Sequence, residues 1–132
     1  MQEAVYYGKV ELIPGIICDG YVLDDDTAVM SERGTADLLG IKRTPLKRMA
    51  PNWPPKTLKP FVDEGLSMAP NLIKVIAKNC PYQGRNIVAY NSNFIESFIR
   101  GYALALANDA LKENQVHIGK RSVILQSALV RT

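Results

Sequence analysis

The chain has 132 residues, 47% of them hydrophobic and 22% charged, with a net charge of +3 and a pI near 8.9. That is the composition of an ordinary globular protein and long enough to bury roughly two-thirds of its unfolded surface, which excludes a disordered tail and a disulfide- or metal-stapled miniprotein. Two widely spaced cysteines, Cys18 and Cys80, read as reduced, packed thiols.

No basic leader precedes an apolar stretch: Met1 to Tyr7 carries Glu3 and no cation. The longest apolar run, Tyr102 to Ala107, is far short of the ~20 residues that span a bilayer. The expectation is a single soluble, cytoplasmic domain over 1–132 without a membrane partner. Its charge is unevenly spread. Residues 1–41 hold eight acids and two bases, whereas residues 42–59 hold six bases and no acid. Such a block is a candidate partner surface.

In chain order, Val10, Leu12 and Ile16-Ile17-Cys18 lead to Asp19-Gly20, a strong turn dipeptide. Tyr21-Val22-Leu23 and Ala28-Val29-Met30 read as antiparallel strands joined at Asp24-Asp25-Asp26, with the stretch before Asp19 as a third strand. Ser31 stands as the N-cap of a short helix, Glu32 complements the dipole in its first turn, and Gly40 stops it after the buried Leu38 and Leu39. Five prolines between residues 41 and 60 predict mostly loop, with one helical turn over Pro45–Met49. A further short helix is expected over Phe61–Met68.

Ile73, Val75 and Ala77 alternate with Lys74, Ile76 and Lys78. A strand here, a turn over Pro81–Arg85 and a strand over Ile87–Tyr90 make a second hairpin. A helix over Pro70–Asn79 also fits the apolar spacing, but the β-branched content favours strand. Ser92 or Asn93 then caps a helix running to about Leu111, with Phe94, Ile95, Phe98, Ile99, Tyr102 and Leu106 on one face. A last helix covers Val116 to Val130, its apolar face on Val123, Ile124, Ser127 and Ala128 with Arg131 following. That face runs to the chain end, where a docking partner is expected, so the chain reads as the N-terminal part of a longer protein. The fold class is therefore α+β: short antiparallel β-hairpins packed against C-terminal helices.

Catalytic constellations are sparse. His117 is the only histidine and no Cys-x-x-Cys occurs, so no metal site and no cofactor are expected. The triple aspartate reads as a solvated turn before it reads as a cation site. Asp63 and Glu64 are adjacent and point apart on a helix. Neither phosphate-binding glycine motif is present. A thiol hydrolase would need Cys18 or Cys80 beside His117. The expectation is no catalytic residue and no enzyme.

What remains is the basic segment. Lys42, Arg43, Lys47, Arg48, Lys56 and Lys59 with Trp53 among them offer cations for phosphates and an aromatic ring for a base. The plain alternative is a solvated loop balancing the acidic first third, with Trp53 plugging the core. Six duplex phosphate contacts would give a slope of log K on log salt of about −5.

Gly20-Tyr21-Val22-Leu23-Asp24-Asp25-Asp26-Thr27-Ala28-Val29-Met30-Ser31-Glu32-Arg33-Gly34, then Ala36-Asp37-Leu38-Leu39-Gly40, resembles the N-terminal region of bacterial and prophage proteins of the P-sixty-three-C type. Leu58-Lys59-Pro60-Phe61 is similar to their next block and Asn91 to Ala110 to their long helix; Glu32 stands where they have glutamine. The same order of hairpin and helices resembles the N-terminal modules of phage antirepressors and KilA-type proteins. The resemblance implies a DNA-associated regulatory role of mobile-element origin and no enzyme activity. The alternative is a protein-interaction module that forms homo-oligomers through the Val116–Val130 helix.

Overall fold

The structure is a computed structural model that describes residues 1–63 and 70–131. Five strands, β1 (Gln2–Ile13), β2 (Ile16–Leu23), β3 (Ala28–Ser31), β4 (Asn71–Val75) and β5 (Asn86–Asn91), close a barrel in the order β1-β2-β3-β5-β4. Helices α1 (Glu32–Leu39), α2 (Arg43–Met49), α3 (Ser92–Ala107) and α4 (Val116–Arg131) accompany it. The class is α+β, but the strands are not separate hairpins. Antiparallel β3–β5 pairing and parallel β1–β4 pairing weld both hairpins into one closed sheet.

The first chain reversal falls at Pro14–Gly15, not at Asp19-Gly20. Gly15 has φ +87° and Ile13 pairs with Ile16. Proline followed by a left-handed glycine is what a type II turn demands. Asp19 and Gly20 lie inside β2, where Gly20 pairs with Gly8 on one side and Met30 on the other. A Cβ on Gly20 would stand 3.1 Å from Val10 Cγ2, so this glycine serves close packing rather than a turn.

The other hairpins stand where expected, except that β4 stops at Val75, and Ile76, Ala77 and Lys78 belong to the connection. The triple aspartate turns the chain, with Asp26 at φ 65°, the Leu23 amide on the Thr27 carbonyl at 2.9 Å and the Thr27 amide on Asp25 Oδ1 at 3.0 Å. β4 and β5 pair antiparallel from Asn71–Ala89 to Lys74–Asn86. Alternation along these strands fills the barrel with Ala4, Tyr21, Leu23, Val29, Ile73, Val75 and Ala89, beside the buried Ala77 and Cys80.

Both helices that follow a hairpin start on a side-chain cap. Ser31 Oγ accepts from the Gly34 amide at 3.1 Å, and Asn91 Oδ1 accepts from the Phe94 amide at 2.8 Å. The cap of α3 is thus Asn91, one residue before the expected Ser92 or Asn93. Gly40 ends α1 at φ 73°. Helix α3 ends at Ala107, short of Leu111, and Asp109 follows in the left-handed region.

The proline-rich segment is more ordered than a loop. Helix α2 carries Pro45 in its first turn, where no amide is required, and 3-10 turns follow at Ala50–Asn52 and Lys56–Phe61. Leu46, Ala50 and Leu58 are buried against α3 and α1 in a second core with Leu38, Leu39, Phe94, Phe98, Ile99, Tyr102 and Leu125. Phe61 closes the second 3-10 turn and Val62 is extended. The remainder of the helix expected over Phe61–Met68 lies outside the described residues from Glu64 on.

Helix α4 spans its expected range but turns a different face inward. Ile118, Gly119, Ser122 and Leu125 are buried, whereas Val123 and Ile124 are 44% and 57% exposed. Gly119 sets this face. A Cβ there would lie 2.6 Å from Leu111 Cδ1 and 3.3 Å from the Tyr102 carbonyl oxygen, so α4 meets α3 almost backbone to backbone. Arg121 then reaches α1 and donates to the Leu38 and Asp37 carbonyls, both at 3.0 Å, capping a helix whose own last turn has no base.

Candidate nucleic-acid interface

A groove of about 520 Å³ opens where α1 and α2 meet β5 and the loop before it. One wall is cationic. Arg33 comes from the first turn of α1, Arg43 and Lys47 from α2, and Arg85 from the β4–β5 loop. The other wall is apolar, with Tyr82 and with Val88, which shares the outer face of β5 with Tyr90, whereas Ile87 turns inward to the barrel core. Asp19 and Glu32 add carboxylates and Asn86 an amide.

The arrangement follows from barrel closure. Ser31 pairs with Ala89, so the chain entering α1 faces the start of β5, and the β4–β5 loop is delivered beside Glu32 and Arg33. Arg43 and Lys47 are four residues apart, hence on one face of α2. Gly40-Ile41-Lys42 joins α1 to α2 in helix–turn–helix order.

Glu32 anchors the cationic wall. It was expected as a first-turn acid for the helix dipole; it is in fact 5% exposed. Arg43 Nε and Nη2 donate to its Oε1 at 3.2 and 3.1 Å, Lys47 Nζ lies 3.5 Å from the same oxygen, and Tyr90 Oη donates to Oε2 at 3.1 Å. Burial, then the facing Glu32 charge, pushes the Tyr90 phenol up, so it stays a donor. The Arg43 and Lys47 side chains remain 55% and 59% exposed and can still face a ligand.

Of the seven residues expected to contact nucleic acid, Arg43 and Lys47 line the groove. Lys42, Arg48, Lys56 and Lys59 are exposed but do not line it. Trp53 is turned to the core. Its Nε1 donates to Ser97 Oγ at 2.9 Å, and its ring stacks on Phe98 at 5.6 Å and meets Phe94 edge-on at 5.3 Å. It braces the proline-rich segment against α3, as the plain reading of the segment had it. Arg33, Arg85 and Tyr82 escaped the sequence reading because each stands outside the basic block, and only the β3–β5 pairing brings them to it.

The other candidates do not assemble. Cys18 and Cys80 are free and buried in different cores. Cys18 Sγ donates to the Gly34 carbonyl at 3.3 Å, and burial pushes its thiol up, away from the nucleophilic form. Cys80 Sγ lies 3.6 Å from Tyr21 Oη. Neither thiol is hydrogen-bonded to His117, which is exposed on α4. Among the described residues no three His, Cys, Asp or Glu side chains cluster as metal ligands, and no helix is long and apolar enough to cross a membrane.

No protein-family model, curated protein or solved structure matches the chain.

Proposed function

We propose that the chain is a nucleic-acid-binding domain that holds phosphates in the α1–α2–β5 groove, with the DNA-associated regulatory role that its resemblance to P-sixty-three-C and antirepressor modules implies. The observation that supports it is the meeting of Arg33, Arg43, Lys47 and Arg85, from three separate elements, on one groove. Phosphodiester binding calls for that: several cations in one concave surface release counterions together. Lys42 and Arg48, exposed on and next to α2, extend the positive field.

The test is fluorescence anisotropy with labelled DNA across a salt series. Three or four phosphate contacts give a slope of log K on log salt of about −2 to −4, the shallower end for a single strand. Arg33→Glu with Arg85→Glu flattens it by about two and weakens binding about tenfold or more. These two arginines meet no carboxylate among the described residues, so the change leaves the Glu32 cluster intact. Absent or salt-independent binding refutes the proposal.

A second reading, self-association through α4, draws on the exposure of Val123 and Ile124. It predicts a dimer by light scattering that Ile124→Lys dissociates, with DNA affinity per groove unchanged.

A further inference from the structure

The groove is not uniformly cationic, and its apolar wall is unexplained by phosphate binding. Tyr82 is 37% exposed, and the Arg85 guanidinium carbon lies 6.0 Å from its ring centroid. The guanidinium covers one face of the ring, and the stacked pair offers its outer faces to a base. Val88 continues the apolar surface, and Asn86 on the same face of β5 offers an amide donor and an acceptor. A duplex hides its base faces inside the stack and would leave this wall wet. An unpaired strand presents them.

We infer that the groove takes single-stranded nucleic acid, with a base stacked on Tyr82 and Arg85 and its flanking phosphates on Arg33, Arg43 and Lys47. The inference rests on the nucleic-acid reading above and names its substrate class. Arg85 belongs to the cationic lining and also covers the Tyr82 ring, and the other residues divide the work. Phosphates face Arg33, Arg43 and Lys47, which are rooted in α1 and α2 and, for the latter two, on buried Glu32. The base faces Tyr82 and Arg85, which come from the loop between β4 and β5. Binding is sequence-tolerant, because every base has a π-face.

The experiment compares four labelled probes of equal phosphate number at one low salt concentration: oligo-dT, oligo-U, an abasic strand and a duplex. The expected result is that oligo-dT or oligo-U binds at least about tenfold tighter than the abasic strand and the duplex. A preference for either sugar supports the inference and assigns the strand as DNA or RNA. Tyr82→Leu, which keeps apolar bulk but removes the ring, lowers oligo-dT affinity about five- to fiftyfold toward the abasic level, and Tyr82→Phe retains it. An unchanged thermal midpoint in both variants attributes the loss to the ring. Equal affinity for duplex or abasic probes, or a Tyr82→Leu variant that binds like the parent, overturns the single-strand inference and leaves phosphate binding standing. No binding of any probe overturns both.

Discussion

Tyr90 Oη donates to Glu32 Oε2 across 3.1 Å, joining the fifth barrel strand to the first residue of α1. The same carboxylate holds Arg43 and Lys47 of α2 on its other oxygen. One buried acid therefore ties the barrel to both helices and fixes the two central cations of the groove. A buried charge with only one of these partners would be costly; with three it is satisfied.

Glu32 is expected to set stability and affinity against each other. Glu32→Gln keeps an acceptor for Tyr90 but releases the charge on Arg43 and Lys47. Urea unfolding should show a loss of about 2 kcal/mol, below the full figure for a buried pair because both cations are half in water. Nucleic-acid affinity measured on the same variant should rise, by roughly threefold or more at low salt.

Trp53 is the only tryptophan, which makes its emission a clean report on the proline-rich segment. With its ring on Phe98 and its N–H on Ser97, binding of an oligonucleotide should leave that emission nearly unchanged. Trp53→Ala should cost about 3 kcal/mol in chemical denaturation through the cavity left beside Phe94 and Phe98. Quenching by bound strand would place a base on Trp53 after all.

Lys56→Glu with Lys59→Glu should change affinity less than about threefold, in contrast to the groove pair Arg33 and Arg85, because neither lysine lines the groove. Anisotropy titrations of the two double variants side by side decide it.

The glycines separate packing from mere tolerance. Gly119→Ala should destabilise by about 1–3 kcal/mol, since Leu111, Leu106 and the Tyr102 carbonyl crowd the new methyl. Gly8→Ala meets nothing within 4 Å and lies in a strand, so its thermal midpoint should hold or rise slightly.

Alkaline pH should destabilise the barrel. Tyr7 donates to Asp19 Oδ1 at 2.6 Å, and that hydrogen bond, with burial and the Asp19 charge, pushes its phenol up to about 12. A folded value above the unfolded one of about 10 means the contribution is complete below pH 10 and is lost between there and about 12, where the unfolded chain has already released its proton. Tyr21 and Tyr90 shift in the same direction. Tyr7→Phe should reduce the steepness of the loss between those limits, read by circular dichroism across the range.

The second hairpin, the Asp24–Asp26 reversal, the Ser31 cap and the Gly40 stop were legible because each is settled by neighbours a few residues away. Asp19-Gly20 misled for the same reason: the dipeptide permits a turn, but strands on both sides of it hold it extended. Helix α4 misled at its face. Val123 and Ile124 are the more apolar pair, yet the small Gly119 and Ser122 decide which side can approach α3. Of the basic block, helical spacing could have paired Arg43 with Lys47, but nothing local told these from Lys56 and Lys59.

By itself the sequence determined most of the elements: the strands on either side of the triple aspartate, the Ser31 cap and Gly40 stop of α1, the long α3 and α4, and that a cationic stretch follows an acidic one. Those properties arise from backbone preference and side-chain period, which act over a turn or a strand. Only the tertiary structure decided that the strands close into one barrel, that Glu32 is buried among Tyr90, Arg43 and Lys47, and that Arg33, Arg85 and Tyr82 complete the groove. These depend on long-range pairings, Ser31 with Ala89 across β3–β5 and Ala4 with Val75 across β1–β4, and contacts of that reach are set by burying two cores at once rather than by any local signal.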